Sequence, residues 1–266
     1  MKNSKIANLI AKKDKQKIIC LTAYSYSIAK ILDKYCDLIL VGDSLGMTVY
    51  GMKDTIDVTI EMMINHAKAV KNAVKNALVV VDLPFGTYEN CKDQALSNAQ
   101  KVIQETNCDA VKIEIDQKIL PTLQHLVQNN IAVVGHVGLL PQHVRKIGSY
   151  KYQGTKADSA NEILAISKEI ANLGAFALVI EAVPVDLADK ITQSINIPTI
   201  GIGASLNCSG QILVTDDLLG LNEEFQPKFV KKYEELAKKI HEAVNCYKSD
   251  VINQKFPETK NLYYSI

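Results

Sequence analysis

A chain of 266 residues, 47% hydrophobic and 22% charged, is long enough to bury a substantial core and has the balance of an ordinary globular protein. Its formal charge of +1 excludes the basic excess of a dedicated nucleic-acid binder, and no apolar run is long enough to span a membrane. The opening stretch "MKNSKIANLIAKKDKQ" lacks the apolar core and cleavage site of a secretory signal, so the expected location is the cytoplasm.

Short β-branched runs recur along the chain. They are "KIICLTA" (17–23), "DLILVGD" (37–43), "ALVVVDL" (77–83), "AVKIEI" (110–115), "IAVVGH" (131–136), "FALVIEA" (176–182), "IPTIGIG" (197–203) and "QILVTDD" (211–217). Helical spacing marks stretches between them at 27–35, 59–73, 93–106 and 159–174, with Asn76 and Gly174 as expected closing residues. The segment "KFVKKYEELAKKIHEAVNCY" reads as one amphipathic helix followed by a tail. Six scattered cysteines without a CxxC pair fit neither a zinc ribbon nor a disulfide scaffold, and are expected to be reduced packing residues.

Strands alternating with helices imply a parallel sheet with helices outside. Eight strand candidates within about 200 residues fit a single (β/α)8 TIM barrel. A doubly wound open sheet is the runner-up, but no GxGxxG turn follows the first strand. No linker or composition shift marks a boundary, so residues 1–266 are expected to form one domain.

The C-terminal strand ends carry the polar residues. Asp43 and Ser44 follow strand two, Asp82 ends strand three, Lys112 and Glu114 lie on strand four, His136 ends strand five and Glu181 ends strand six. In a barrel these positions surround one mouth, where active sites are built. Each has a plain structural alternative: Asp43 and Asp82 as helix N-caps, His136 as a satisfied polar residue, Lys112 with Glu114 as a rim ion pair. Five successive strands delivering an ionisable group to one end outweigh those alternatives.

Asp43, Asp82 and Glu114 are hard oxygen donors of the kind that hold Mg²⁺ with positions left for water and substrate. Without HExxH or a Cys/His cluster, zinc is not expected. A carboxylate-held metal beside Lys112 suits a small anionic 2-oxo acid. Glu181, flanked by apolar residues, suits a general base of raised pKa. Metal, carbonyl and base together point to enolisation, with the electrophile unnamed.

Beyond these residues, the sequence resembles the ketopantoate hydroxymethyltransferase (3-methyl-2-oxobutanoate hydroxymethyltransferase) family nearly end to end. The stretches that carry the resemblance are "LILVGDSLGMTVYG" (38–51), "VVDLPFGTY" (80–88), "AVKIE" (110–114), "VVGHVGLLPQ" (133–142), "YKYQG" (150–154) and "IPTIGIGA" (197–204), in the family's order. The resemblance implies a barrel that transfers the hydroxymethyl group of 5,10-methylenetetrahydrofolate, a co-substrate, to 3-methyl-2-oxobutanoate, giving 2-dehydropantoate. It implies Asp43, Asp82 and Glu114 as the Mg²⁺ ligands, and Ser44, Asp82 and Lys112 as contacts to the oxo acid. It also implies Glu181 as the base at C3, His136 at the substrate mouth, and a homodecamer. Ser25, Asp116 and Ser209 depart from the family pattern and bear on folate affinity and loop packing. The competing assignments are a folate-independent Mg²⁺ enolate enzyme of the aldolase or lyase kind, and a non-catalytic barrel.

Overall fold

The structure, a computed structural model, describes residues 2–147, 151–223 and 227–264. Tyr150 of "YKYQG" lies outside the described residues. Eight parallel strands among them close into a barrel in chain order. They are β1 (Ile18–Thr22), β2 (Leu38–Val41), β3 (Leu78–Asp82), β4 (Ala110–Glu114), β5 (Val133–Gly138), β6 (Ala177–Glu181), β7 (Thr199–Ile202) and β8 (Gly210–Leu213). Pairing of β8 with β1, Ile18 opposite Gly210 through Leu21 opposite Leu213, leaves no free sheet edge. Closure excludes the doubly wound alternative. All eight expected strands are present, most of them shorter than their apolar runs.

Alternation of side chains splits the core into two layers. One face of each strand meets the helices: Val79, Val81, Val111, Ile113 and Leu178 belong to that outer layer with Met63, Ile64, Val102 and Leu123. The other face fills the barrel, where Leu38, Leu40, Leu78, Val80, Ala110, Val134, Ala177 and Val179 pack together. The helix Lys2–Ala11 adds Leu9 to this inner cluster, and Lys5 Nζ donates to the carbonyls of Lys75 and Ala77, both at 2.9 Å.

The helix Ile60–Ala73 shows why the outer elements form. Thr59 accepts from the Met62 N–H at 3.2 Å as N-cap, and Ile60, Met63, Ile64, Ala67 and Val70 recur on one buried face. Fully burying side chains such as Met63 or Ile64 is worth about 1.5–3 kcal/mol each. The helix ends at Ala73, before Asn76. The Asp33 carboxylate instead takes up the N–H groups of Lys75, Asn76 and Ala77. The left-handed asparagine cap occurs at Asn107, φ +57, after the helix Lys92–Thr106.

The chain divides into two compact units, Met1–Thr215 and Asp216–Ile266. The first contains the barrel. In the second, the helix runs over Leu236–Ile252, so the expected start near Lys228 is too early: Pro227 opens a turn, with the Val230 N–H donating to its carbonyl at 3.0 Å. Cys20, Cys36, Cys108 and Cys208 are buried packing residues as expected, whereas Cys91 and Cys246 are exposed; none of the six is in a disulfide. No helix among the described residues is long and apolar enough to cross a membrane.

Gly138 ends β5 with φ +97, directly opposite Glu181 of β6. A Cβ there would run into the Glu181 carbonyl oxygen and the Val183 side chain. Both the backbone angle and the close approach therefore demand glycine. Gly138→Ala is expected to lower stability by more than about 1 kcal/mol, read as a shift of the urea midpoint. An unchanged midpoint would show that the two strands part there without cost.

Candidate active site

Reading each strand's inner face towards its C-terminal end gives the site. On β3 the interior sequence is Leu78, Val80, Asp82; on β4 it is Ala110, Lys112, Glu114; on β5, Val134 and His136; on β6, Ala177, Val179, Glu181. Apolar side chains fill the lower barrel and ionisable ones occupy the last inward position. Register makes them neighbours, with Asp82 opposite Lys112 and Glu114 opposite His136. Val111, Ile113 and Ile115 face the helices, so the lysine and glutamate of "VKIEI" both turn into the mouth.

The contacts form one continuous chain. Lys112 Nζ lies 2.9 Å from Asp82 Oδ1, close enough for charge pairing although off the direction of a good hydrogen bond. Asp82 Oδ2 accepts from the Asp43 N–H at 3.1 Å. His136 Nδ1 lies 3.4 Å from Lys112 Nζ and 3.7 Å from Glu114 Oε1, while its Nε2 lies 3.2 Å from Glu181 Oε2 without a well-aimed bond. Because the ammonium can only donate, Nδ1 accepts and Nε2 carries the ring hydrogen. Ser44, next to Asp43, shares a hydrogen bond of 2.8 Å with the Tyr24 hydroxyl. Neither Asp43 nor Asp82 caps a helix; both are buried and engaged inside the mouth.

Four carboxylates thus share one lysine in a buried site. Burial raises Asp43, and it raises Glu114 well above the ordinary range, Asp43's charge adding to the effect. Asp82 is pushed up to about 7 by burial, against the pull of Lys112. Burial also lifts Glu181 to about 7. Burial pulls Lys112 down, but Asp82, Asp43 and Glu114 outweigh it and hold the ammonium charged. His136 is kept neutral by burial and by Lys112. Glu181 retains 15% side-chain exposure against 1% for Glu114, so it is the carboxylate an incoming molecule reaches more easily. The next residue, Ala182, sits at φ +47 in the left-handed region, a strain of roughly 1–2 kcal/mol at the point where the chain leaves β6.

Two residues carry unforeseen parts of this network. Gln142, on the 3-10 turn Pro141–His143, donates through Nε2 to Asp43 Oδ2 at 2.8 Å and to the Leu83 carbonyl at 3.0 Å. Its N–H donates to Glu114 Oε2 at 3.1 Å, and its Oε1 accepts from the Tyr88 hydroxyl at 2.6 Å. The Tyr88 oxygen also accepts from the Glu114 N–H at 3.2 Å. Both residues close stretches noted for their resemblance, "VVGHVGLLPQ" and "VVDLPFGTY", but neither spacing nor residue type marks them as partners. Two of the three departures make local bonds. Asp116 accepts from the Lys118 N–H at 2.8 Å, and Ser209 exchanges bonds of 3.2 Å with Thr199. Ser25 precedes the helix Tyr26–Leu32 without a side-chain cap bond.

Asp43, Asp82 and Glu114 supply only oxygen donors, gathered around the single cation of Lys112; such a donor set suits a divalent cation. Among the described residues, no three His, Cys, Asp or Glu side chains stand close enough to enclose an ion. Mg²⁺ does not need such a cage: it takes one or two protein carboxylates and fills its remaining positions with water and substrate oxygens. The donor set fits that ion.

The family model described as ketopantoate hydroxymethyltransferase matches residues 3–259. A Pelagibacter ubique protein named 3-methyl-2-oxobutanoate hydroxymethyltransferase is 48% identical over 261 residues, covering 98% of this chain and 100% of its own. One of the same name from Rhizobium etli is 48% identical, covering 95% of this chain and 93% of its own. Among solved structures, a phosphoenolpyruvate phosphomutase from Streptomyces platensis superposes with a TM-score of 0.62 at 12% identity, over 94% of this chain and 88% of that one. A phosphonopyruvate hydrolase complex with oxalate and Mg²⁺ gives 0.60 at 10% identity, over 98% and 92%. The two structures share the barrel fold with this chain.

The raised Glu181 has a consequence for stability. Its folded value of about 7 stands above the ordinary 4.5, so the folded protein binds this proton more tightly than the unfolded chain. The associated stability is fully present below the unfolded value and is lost as pH rises through about 7. Glu181→Gln has no such proton to lose. In metal-free buffer, the melting temperature of Glu181→Gln relative to the native protein is therefore expected to rise from pH ~5 to ~7.5. A flat or falling difference would mean that the buried carboxylate ionises without penalty.

Proposed function

The chain belongs to the ketopantoate hydroxymethyltransferase family, and from that membership and the carboxylate-rich mouth we propose that it transfers a hydroxymethyl group from 5,10-methylenetetrahydrofolate to 3-methyl-2-oxobutanoate. The observation that carries the proposal is Glu181: a partly open carboxylate with a pKa near 7, next to one buried lysine and three further carboxylates. A base poised near neutral pH beside a cationic, oxygen-rich pocket is what proton removal next to a carbonyl requires.

In this assignment Asp43 and Asp82 would hold Mg²⁺, with Glu114 as the looser ligand. The ion would supply Lewis-acid polarisation of the substrate's keto oxygen. Lys112 offsets the charge of the oxo acid, and Ser44 and Asp82 orient it. Glu181 takes the proton from C3, and the electron pair moves towards the carbonyl. The nucleophilic C3 then attacks the methylene carbon of the folate; overall, water supplies the new hydroxyl and tetrahydrofolate is released. His136, neutral and 3.4 Å from Lys112 through Nδ1, holds its Nε2 3.2 Å from Glu181 and free of a well-aimed partner, open to the substrate. A homodecamer belongs to the same assignment and rests on the family resemblance; a cytoplasmic location is proposed with it.

An NMR time course with 3-methyl-2-oxobutanoate, 5,10-methylenetetrahydrofolate and Mg²⁺ tests the reaction, with controls lacking folate or containing EDTA. Product that needs both folate and metal is expected. Metal-dependent loss of the C3 proton in D₂O without product would reject folate and favour another enolate-forming enzyme. Glu181→Gln should cut turnover by at least about 10²-fold while oxo-acid binding persists, because the amide keeps the shape and loses the base. Normal turnover in that variant would sink the assignment of the base. Asp82→Ala should weaken Mg²⁺ and oxo-acid binding together, by roughly tenfold or more; unchanged calorimetric affinities would remove Asp82 from the site.

A further inference from the structure

Gln142 is 1% exposed, and its backbone N–H and both ends of its side-chain amide are engaged at the mouth. Asp43 Oδ2 and the Leu83 carbonyl can only accept, so the atom facing them must be the amide nitrogen with its two hydrogens. The Tyr88 hydroxyl has one hydrogen and gives it to Oε1 at 2.6 Å, leaving its oxygen to receive the Glu114 N–H. The orientation of the amide is thus set by its partners. Glutamate at this position would bring a third acceptor against Asp43 and Leu83. An aliphatic residue would leave both without that donor at a position that is 1% exposed.

One residue gives a hydrogen to each of two carboxylates from different strands, Asp43 through its side-chain nitrogen at 2.8 Å and Glu114 through its backbone N–H at 3.1 Å, and so ties their positions together before any cation arrives. The anchor itself is buried. The 3-10 turn Pro141–His143 follows β5, and Tyr88 is fully buried.

We propose that Gln142, braced by Tyr88, is a positioning residue that sets the affinity of the mouth for its divalent cation; this rests on the metal assignment above. It touches neither the oxo acid nor the ion in this role. It acts by holding Asp43 and Glu114 where an arriving ion meets them without rearrangement, as residues behind a metal's direct ligands do elsewhere.

The test is Mn²⁺ binding to the metal-stripped protein without oxo acid, followed by electron paramagnetic resonance, for the native chain, Gln142→Leu and Tyr88→Phe. Gln142→Leu is expected to raise the Mn²⁺ dissociation constant roughly tenfold. Tyr88→Phe, which keeps the ring and removes only the hydroxyl, is expected to raise it less, about fivefold. In turnover assays the Mg²⁺ concentration for half-maximal rate should move by the same factor, and most of the lost rate should return at saturating Mg²⁺. A merely structural role would depress the rate without moving the Mg²⁺ requirement, and that result overturns the proposal. So do Mn²⁺ affinities within twofold of the native chain in both variants. Should Gln142→Leu fail to fold by circular dichroism, Tyr88→Phe decides alone by the same criteria. A native chain that takes up no Mn²⁺ overturns the metal assignment together with this proposal, whereas a native chain that binds beside variants that bind equally overturns the proposal only.

Discussion

The charge pair between Lys112 and Asp82 spans two neighbouring strands at 2.9 Å, and both side chains are almost completely buried. Taking a lysine and a carboxylate out of water costs several kcal/mol per ion unless each keeps a partner. Three more carboxylates, Asp43, Glu114 and Glu181, sit around the same lysine, and it cannot balance them all. The consequence is visible in every acid of the mouth: burial raises all four. Burial alone lifts Glu181 to about 7, against the pull of Lys112, while the gathering of carboxylate oxygens beside a single lysine gives the mouth the donors that a divalent cation takes.

The barrel makes such a concentration of charge affordable. Its lower interior is filled by Leu38, Leu78, Val80, Ala110, Val134 and Val179, so the polar layer rests on a packed apolar floor. Parallel register then places the last inward residue of each strand beside the next, and residues distant in sequence meet at hydrogen-bond range. Where side-chain partners run short, backbone donors step in, as with the Asp43 N–H on Asp82 and the Gln142 N–H on Glu114. Gly138, where β5 closely approaches the Glu181 carbonyl, and the left-handed Ala182 show how closely the chain is constrained around Glu181.

Departures from the family pattern fall outside this charged layer. Asp116 and Ser209 make bonds that tie off a turn and join β7 to β8. The likeness to solved barrels at 10–12% identity shows that the architecture tolerates near-complete change of sequence. Chemistry on such a scaffold is decided by the residues at the strand ends, since the fold alone does not specify a reaction.

Much of this was legible from the chain itself. A period of two, broken by helical stretches, is a local property of neighbouring residues, so it announced eight strands and the parallel barrel; it also showed that Lys112 and Glu114 share a face opposite Val111 and Ile113. The type of each ionisable group at a strand end was equally plain. Boundaries that depend on distant partners were not, as at Asn76, where Asp33 captures the N–H groups past the helix end, and in the C-terminal helix, which begins at Leu236. The roles of Gln142 and Tyr88 were invisible for the same reason. An amide and a phenol carry no charge and follow no period, and their bonds to Asp43 and Glu114 cross 99, 28 and 26 residues of chain. Sequence determines which groups each strand offers to the mouth; only closure of the barrel decides which of them touch, because hydrogen bonds and desolvation act over a few ångströms of space and not along the chain.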